Sequence, residues 1–239
     1  MSLFFESPRG PVAHGAMDAT GMPALVLFAS MIGYGSMARE AGLTLWTSVA
    51  STGLVWGLPG QIAMIELYAL GAPVIAVIVA ASAANARFLP MVLSVMPLFN
   101  ETPTRRRWHY AVAQFMSLNP WAAMMRDGPR MNPAYRTPYF AGFAGVCISA
   151  ALIGTAAGFL VAGALPRDVT LSLVFLNPLF FTLVFVNTRD RGQILAVLAG
   201  IVAGPLLHLI SADWGLILTG AVAGTGAYLV DRLLRRRHA

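Results

Sequence analysis

Apolar stretches of membrane-spanning length recur along the whole chain, and short polar turns separate them. None alternates regularly between apolar and polar positions, as strands of a membrane barrel do. An α-helix satisfies its own backbone hydrogen bonds inside lipid, so the pattern predicts an all-α, polytopic membrane bundle. The predicted spans cover residues 21–37, 45–70, 74–99, 108–125, 138–165, 169–186, 193–210 and 214–230.

The fourth of these segments leaves the number of spans at seven or eight. The segment of residues 108–125 is short and includes the polar residues His109, Gln114 and Asn119. This segment either crosses the membrane, lies at its surface, or enters and leaves on one side. With eight spans, the arginine distribution places both termini in the cytoplasm; with seven, the N-terminus lies outside. We expect residues 1–18 to form a polar N-terminal tail without a signal peptide, 19–232 one transmembrane domain, and 233–239 a basic C-terminal tail.

Composition supports the membrane assignment and excludes several functions. The chain is 57% hydrophobic and 11% charged, whereas soluble domains average about 25% charged residues. All sixteen basic residues are arginine. Most of them lie between apolar runs or at the C-terminus, where they set topology and contact lipid headgroups rather than nucleic acid. Cys147 is the one cysteine, and no cluster has metal-ligand spacing. With no nucleophile motif or phosphate loop either, we predict no catalytic residue, metal or cofactor.

The second span contains an interruption that a lipid-exposed helix would not tolerate. Its sequence is Gly57-Leu58-Pro59-Gly60, followed by Gln61. Proline removes a backbone donor, and glycine on both sides permits unwinding. The freed amide groups then suit a zwitterion, because helix N-termini attract anions and C-terminal carbonyls attract cations. The alternative is a proline kink satisfied by neighbouring helices. We predict Gly57, Pro59, Gly60 and Gln61 as substrate-binding residues.

Four further polar residues are candidates because polar groups in a membrane are costly. Arg87 either binds a carboxylate, from the substrate or from Glu66, or extends to the interface. Asn85 either joins Arg87 in substrate binding or caps an unwound turn. Glu66 is either a proton-coupling group or an interfacial carboxylate. His208, near a span end, either relays protons or makes a structural hydrogen bond.

Several motifs in the first hundred residues together resemble the AzlC-type family of branched-chain amino acid exporters. They are Phe28-x-x-x-Ile32-Gly33-Tyr34-Gly35, Glu40-Ala41-Gly42-Leu43, Ser51 through Trp56-Gly57-Leu58-Pro59-Gly60-Gln61, Leu70-Gly71-Ala72 and Asn85-x-Arg87-Phe88. The specific part of the resemblance lies within residues 28–90. The C-terminal half is similar mainly in hydropathy and glycine placement.

The resemblance implies ion-coupled export of small apolar amino acids across the bacterial cytoplasmic (inner) membrane. It also implies a small AzlD-type membrane subunit as partner. Three alternatives stay open: an exporter of another small amphipathic metabolite, a non-transporting membrane scaffold or partner subunit, and a membrane-embedded enzyme. A scaffold would bury Arg87 against Glu66 or a partner's carboxylate. An enzyme would lose activity, but not its fold, when one titratable residue is changed.

Overall fold

The computed structural model describes residues 10–101, 107–162, 164, 166, 168–175, 179, 191–210, 219, 222–230 and 232. Regular structure in these residues is helical throughout, and no strand occurs among them, which confirms the all-α prediction. The chain divides into two compact units, Met1–Pro178 and Leu179–Ala239. The second unit contains one long helix, Arg191–Ile210, and helical residues 222–230.

The first unit contains nine α-helices whose two ends both lie among its described residues, and residues 168–175 are helical as well. In chain order they are α1 (Pro11–Ala19), α2 (Met22–Glu40), α3 (Leu45–Leu54), α4 (Leu58–Ala69), α5 (Val74–Asn85), α6 (Phe88–Asn100), α7 (Arg107–Gln114), α8 (Leu118–Asp127) and α9 (Pro133–Val161). The Arg191–Ile210 helix is α10. A 3-10 turn, Gly128–Arg130, joins α8 to the start of α9. Gly42 and Gly71, with φ of 86° and 68°, follow α2 and α4 in the left-handed conformation that ends many helices.

Helix α9 is the longest helix described, and α1, α2 and α3 pack against it. Its N-terminus is fixed by Asn132, whose side chain accepts a hydrogen bond from the Ala134 N–H at 3.0 Å. Proline at the first helical position needs no hydrogen-bond acceptor. The sequence predicts a span that begins at Pro138, but α9 starts five residues earlier and contains Pro138.

Glycines set the separation between α9 and its neighbours. A Cβ atom on Gly142 or Gly158 would overlap the backbone carbonyls of Val12 on α1 or Ile32 on α2. From the opposite side, a Cβ on Gly35 of α2 would overlap the Thr155 carbonyl. The helices therefore touch backbone to backbone, as small residues allow in membrane bundles.

Residues 11–18, which the sequence predicts as part of a polar tail, form helix α1 in the structure. Gly15 lies against the Tyr139 carbonyl of α9, and Ala19 is fully buried. The Tyr139 hydroxyl donates a 2.7 Å hydrogen bond to Asp18. The sequence of this segment is polar overall, so its pattern does not predict the helix face of small residues that packs on α9.

Three predicted spans are each divided into two helices. The second span becomes α3 and α4, as the Gly57–Gly60 interruption predicts. The third divides at Ala86–Arg87 into α5 and α6, whereas the sequence favours breaks near Pro90 and Pro97; Pro97 instead lies inside α6. The fourth becomes α7 and α8, separated by residues 115–117.

Among the residues that the structure describes, α9 is the one helix that is long and apolar enough to cross a membrane by itself. Two bent pairs pass the same test together: α1 with α2 at 56°, and α5 with α6 at 52°. Within α10, the residues Ile194–Leu207 form a shorter apolar segment. The described residues thus contain one to three candidate spans, and the total of seven or eight stays a prediction.

Candidate functional site

The break between α3 and α4 is a turn of extended and left-handed residues inside the protein. Trp56 has φ of 43°, a backbone conformation that is unfavourable for a bulky side chain. Its side chain is only 5% exposed. Gly57 follows with an extended backbone and directly precedes α4. This turn separates the C-terminal end of α3 from the N-terminal end of α4.

Two side-chain amides satisfy carbonyl groups that the break leaves without helical partners. Asn85, the last residue of α5, donates through Nδ2 to the Val55 carbonyl at 3.1 Å. Gln114, the last residue of α7, donates through Nε2 to the Leu54 carbonyl at 2.9 Å. Asn85 thereby performs the capping role that was one of its two alternatives. Since unsatisfied carbonyls are costly in lipid, these hydrogen bonds stabilise the interruption between α3 and α4.

The N-terminus of α4 is buried and has no side-chain cap. Gly57 at the N-cap has no side chain, and Pro59 has no N–H group to offer. The carboxamide of Asn85 lies directly over this first turn, so that a Cβ on Gly57 or Gly60 would overlap it. Glycine at both positions therefore lets α5 approach the start of α4, where the helix dipole favours negative charge.

Three buried polar atoms around the break have no hydrogen-bond partner among the described residues. They are Trp56 Nε1, a donor, and Asn85 Oδ1 and Gln61 Oε1, which are acceptors. Gln61 is fully buried. Buried polar groups are nearly always paired in folded proteins, since each unpaired one costs about 1–3 kcal/mol. One donor and two acceptors beside an uncapped helix start match the two charged ends of an amino acid.

A chain of hydroxyl groups connects Gln61 to three other helices. Gln61 Nε2 donates to Thr52 Oγ1 at 3.0 Å, and the hydroxyls of Thr52 and Thr155 are 2.8 Å apart. On the next position of α3, Ser51 Oγ lies 2.6 Å from the hydroxyl of Tyr34 on α2. Both α3 hydroxyls also donate to the Ser48 carbonyl. The network consists of the neutral Gln61 amide of α4 and neutral oxygen atoms from α2, α3 and α9.

The break between α7 and α8 meets the break between α3 and α4. The rings of Trp56 and Phe115 form an edge-to-face contact with centroids 6.3 Å apart. Gln114 bridges the same two breaks through its bond to Leu54. Phe88 closes another side, since its ring would overlap a Cβ on Gly57. Aromatic rings therefore line the break beside its polar atoms.

The other predicted site residues lie apart from this group. Arg87 is exposed, precedes α6, and its guanidinium lies 5.3 Å from the Phe88 ring centroid. Glu66 is also exposed, and among the described residues it forms no ion pair with Arg87. Glu66 lines a groove of about 260 Å³ together with Glu40 and Thr170. The His208 side chain lies outside the described residues, although its backbone belongs to α10.

Several residues of the site escape prediction from the sequence. Ser48, Ser51 and Thr52 are spaced three and four residues apart in an apolar segment, and this spacing places them on one helix face. That periodicity was the available signal. Nothing local marks Thr155, because its partner is 103 residues away along the chain.

Comparison with known proteins supplies a family and no closer relative. A family model described as AzlC protein matches residues 23–165, more than half of the chain. The matched segment contains the α3–α4 break, Asn85, the α7–α8 break and Thr155. No curated protein and no solved structure matches. The chain belongs to the AzlC family, a family of membrane transport proteins.

Proposed function

We propose that this protein exports branched-chain or other small apolar amino acids across the bacterial cytoplasmic membrane, coupled to an ion gradient. It acts together with a small AzlD-type membrane subunit. Membership of the AzlC family supports transport as the class of activity. The observation that carries the substrate class is the buried, uncapped start of α4. Around it, polar atoms of Trp56, Asn85 and Gln61 have no hydrogen-bond partner among the described residues.

In this proposal the substrate carboxylate binds at the N-terminus of α4. The helix dipole and the Trp56 Nε1–H group both favour an anion there. The substrate ammonium binds toward the C-terminal end of α3, where Asn85 Oδ1 and Gln61 Oε1 accept no hydrogen bond from any residue that the structure describes. The apolar side chain of the substrate contacts the rings of Phe88 and Phe115. Valine-like substrates satisfy all three requirements.

Arg87 has a separate role in the proposal. It lies two residues beyond Asn85, at the α5–α6 break, and makes no ion pair within the described part of the chain. Its exposed guanidinium attracts the substrate carboxylate before the carboxylate reaches α4. A scaffold that used Arg87 to hold Glu66 would show an ion pair between them, and the described residues show none.

The test is efflux of labelled valine, leucine and methionine from preloaded cells that make this chain with its neighbouring small membrane protein. We expect faster efflux than in cells lacking both proteins, and slower efflux with Arg87→Gln. Arg130→Gln, an exposed arginine of the 3-10 turn, is the matched control. No efflux of any of the three, with both proteins shown in the membrane, would reject the amino acid assignment and favour another metabolite or a scaffold. Unchanged efflux in Arg87→Gln would reject only the proposed role of Arg87 in attracting the substrate carboxylate.

A further inference from the structure

The oxygen network around Gln61 has a composition suited to a cation. Its members are the hydroxyls of Tyr34, Ser51, Thr52 and Thr155, the Ser48 carbonyl and the Gln61 amide. The hydroxyls of Thr52 and Thr155 belong to fully buried side chains, and Tyr34 is also fully buried. Hard monovalent and divalent cations prefer oxygen ligands. A set of neutral oxygens without a carboxylate suits a singly charged ion.

One oxygen atom of the network, Gln61 Oε1, is available as a ligand. Gln61 Oε1 is fully buried and has no partner among the described residues, although Gln61 Nε2 is bonded to Thr52. Ser30, one helical turn before Tyr34 on the same face of α2, also carries a buried hydroxyl without a partner there. Unpaired oxygen atoms beside a connected set of hydroxyls leave acceptor capacity for a bound ion.

The position of the network at the end of α3 adds a favourable electrostatic field. Ser51 and Thr52 belong to the last turn of α3, where the carbonyl groups carry the negative end of the helix dipole. Further along this end, the Leu54 and Val55 carbonyls already accept hydrogen bonds from Gln114 and Asn85 respectively. In transporters built from broken helices, such C-terminal ends coordinate the coupling cation.

We infer that this network binds Na⁺ in exchange for the ammonium group of the substrate, an inference that rests on the proposed function. Both cations use Gln61 Oε1 and the α3 hydroxyls, so that binding of one excludes the other. Mutually exclusive binding is what an exporter needs in order to move Na⁺ inward as the amino acid moves outward. The network contains no carboxylate or histidine, and its one titratable member is Tyr34, which hydrogen-bonds Ser51. It therefore favours a metal cation over a proton as the exchanged ion.

The experiment measures binding to the purified full-length chain with its partner subunit. Binding of ²²Na⁺ is followed with and without valine, and valine binding is followed in NaCl or choline chloride at equal ionic strength. We expect valine to displace ²²Na⁺, and the apparent Kd of valine to rise in proportion to the Na⁺ concentration. Thr52→Val, which keeps the side-chain shape, should weaken Na⁺ binding at least tenfold. Thr47→Val, an exposed hydroxyl on the same helix, is the matched control.

The outcomes separate the two proposals. Valine binding that is equal in both salts, or that tightens in Na⁺, would overturn the exchange site while leaving amino acid transport intact. Absence of ²²Na⁺ binding would likewise overturn the exchange site. Failure of valine to bind in either salt would reject the proposed substrate, and ²²Na⁺ binding that Thr52→Val weakens would still support the cation site. If Gln61→Leu also fails to bind Na⁺ but is misfolded, the Thr52→Val result decides.

Discussion

Replacing Trp56 with phenylalanine removes one hydrogen-bond donor from the proposed carboxylate site and little else. Phenylalanine keeps an aromatic ring facing Phe115, whose centroid lies 6.3 Å from that of Trp56. The indole N–H is buried and has no acceptor among the described residues. Most mutations change both the stability of the empty protein and the binding of the substrate. Trp56→Phe allows the two effects to be measured separately.

The magnitudes for the two states have opposite signs. In the empty protein, removal of an unpaired buried donor relieves a cost of about 1–3 kcal/mol. The smaller ring loses packing worth roughly 1 kcal/mol. The net change in unfolding free energy then lies between zero and a stabilisation of about 2 kcal/mol. In the substrate complex, loss of a hydrogen bond to a carboxylate costs about 1.5–3 kcal/mol, which corresponds to a 10- to 150-fold weaker Kd for valine.

The assay compares the purified wild type, Trp56→Phe and Trp46→Phe. Trp46 lies on α3, the helix that leads to the break, but it is 80% exposed. Its substitution therefore makes the same chemical change away from the site. Melting temperature reports the empty state, and the shift of that temperature with added valine reports binding. A lower melting temperature with unchanged valine affinity in Trp56→Phe would refute the reasoning, because it would make Trp56 a packing residue only.

Two further predictions use matched residues within one region. In Gly158→Ala the new Cβ atom on α9 overlaps the Ile32 carbonyl of α2, so the two helices must separate and the melting temperature should fall. Gly145→Ala, whose Cβ atom meets nothing within 4 Å, should instead stabilise α9 by about 0.5–1 kcal/mol. Equal effects of the two substitutions would contradict the close packing of α9 on α2. Arg136→Met removes a buried guanidinium that donates to the Leu98 and Gly128 carbonyls at 2.9 Å and pairs with Glu101, and should cost about 2–4 kcal/mol in thermal or denaturant unfolding. Glu101→Gln should cost less than about 1 kcal/mol because that carboxylate is 62% exposed; a larger loss than in Arg136→Met would show that the ion pair, not the carbonyl bonds, holds this corner.

The sequence predicts the α3–α4 break because proline and glycine act locally. Gly57, Pro59 and Gly60 determine the interruption whatever surrounds them. The α5–α6 break is harder to place, since Pro90 falls in the first turn of α6, where proline is tolerated, while the chain bends at Ala86–Arg87. Local signals therefore located one break and misplaced the other.

Long-range contacts of the site were beyond prediction from the sequence. The bond of Gln114 to Leu54 spans sixty residues, and Arg136 is buried although it lies in a stretch that reads as a polar loop. Only the fold shows which helix ends meet. The Gln61 position was predicted as part of the site because it follows the break directly, whereas its partners Thr52 and Thr155 depend on how α3 and α9 cross.

The glycine contacts along α9 constrain how this protein can change shape. Where helices touch through backbone, no side chain is available to rotate and refill a gap, so α1, α2 and α9 form a unit that resists sliding. The broken helices differ, because the Val55 and Leu54 carbonyls are held by one side-chain hydrogen bond each, from the Asn85 and Gln114 amides. Since α3 is joined to α9 by the Thr52–Thr155 hydrogen bond, any alternation between inward- and outward-facing forms should be a hinge motion of α4–α8 against a frame of α1, α2, α3 and α9, and the hydrogen bonds of the two amides to α3 would have to break during it.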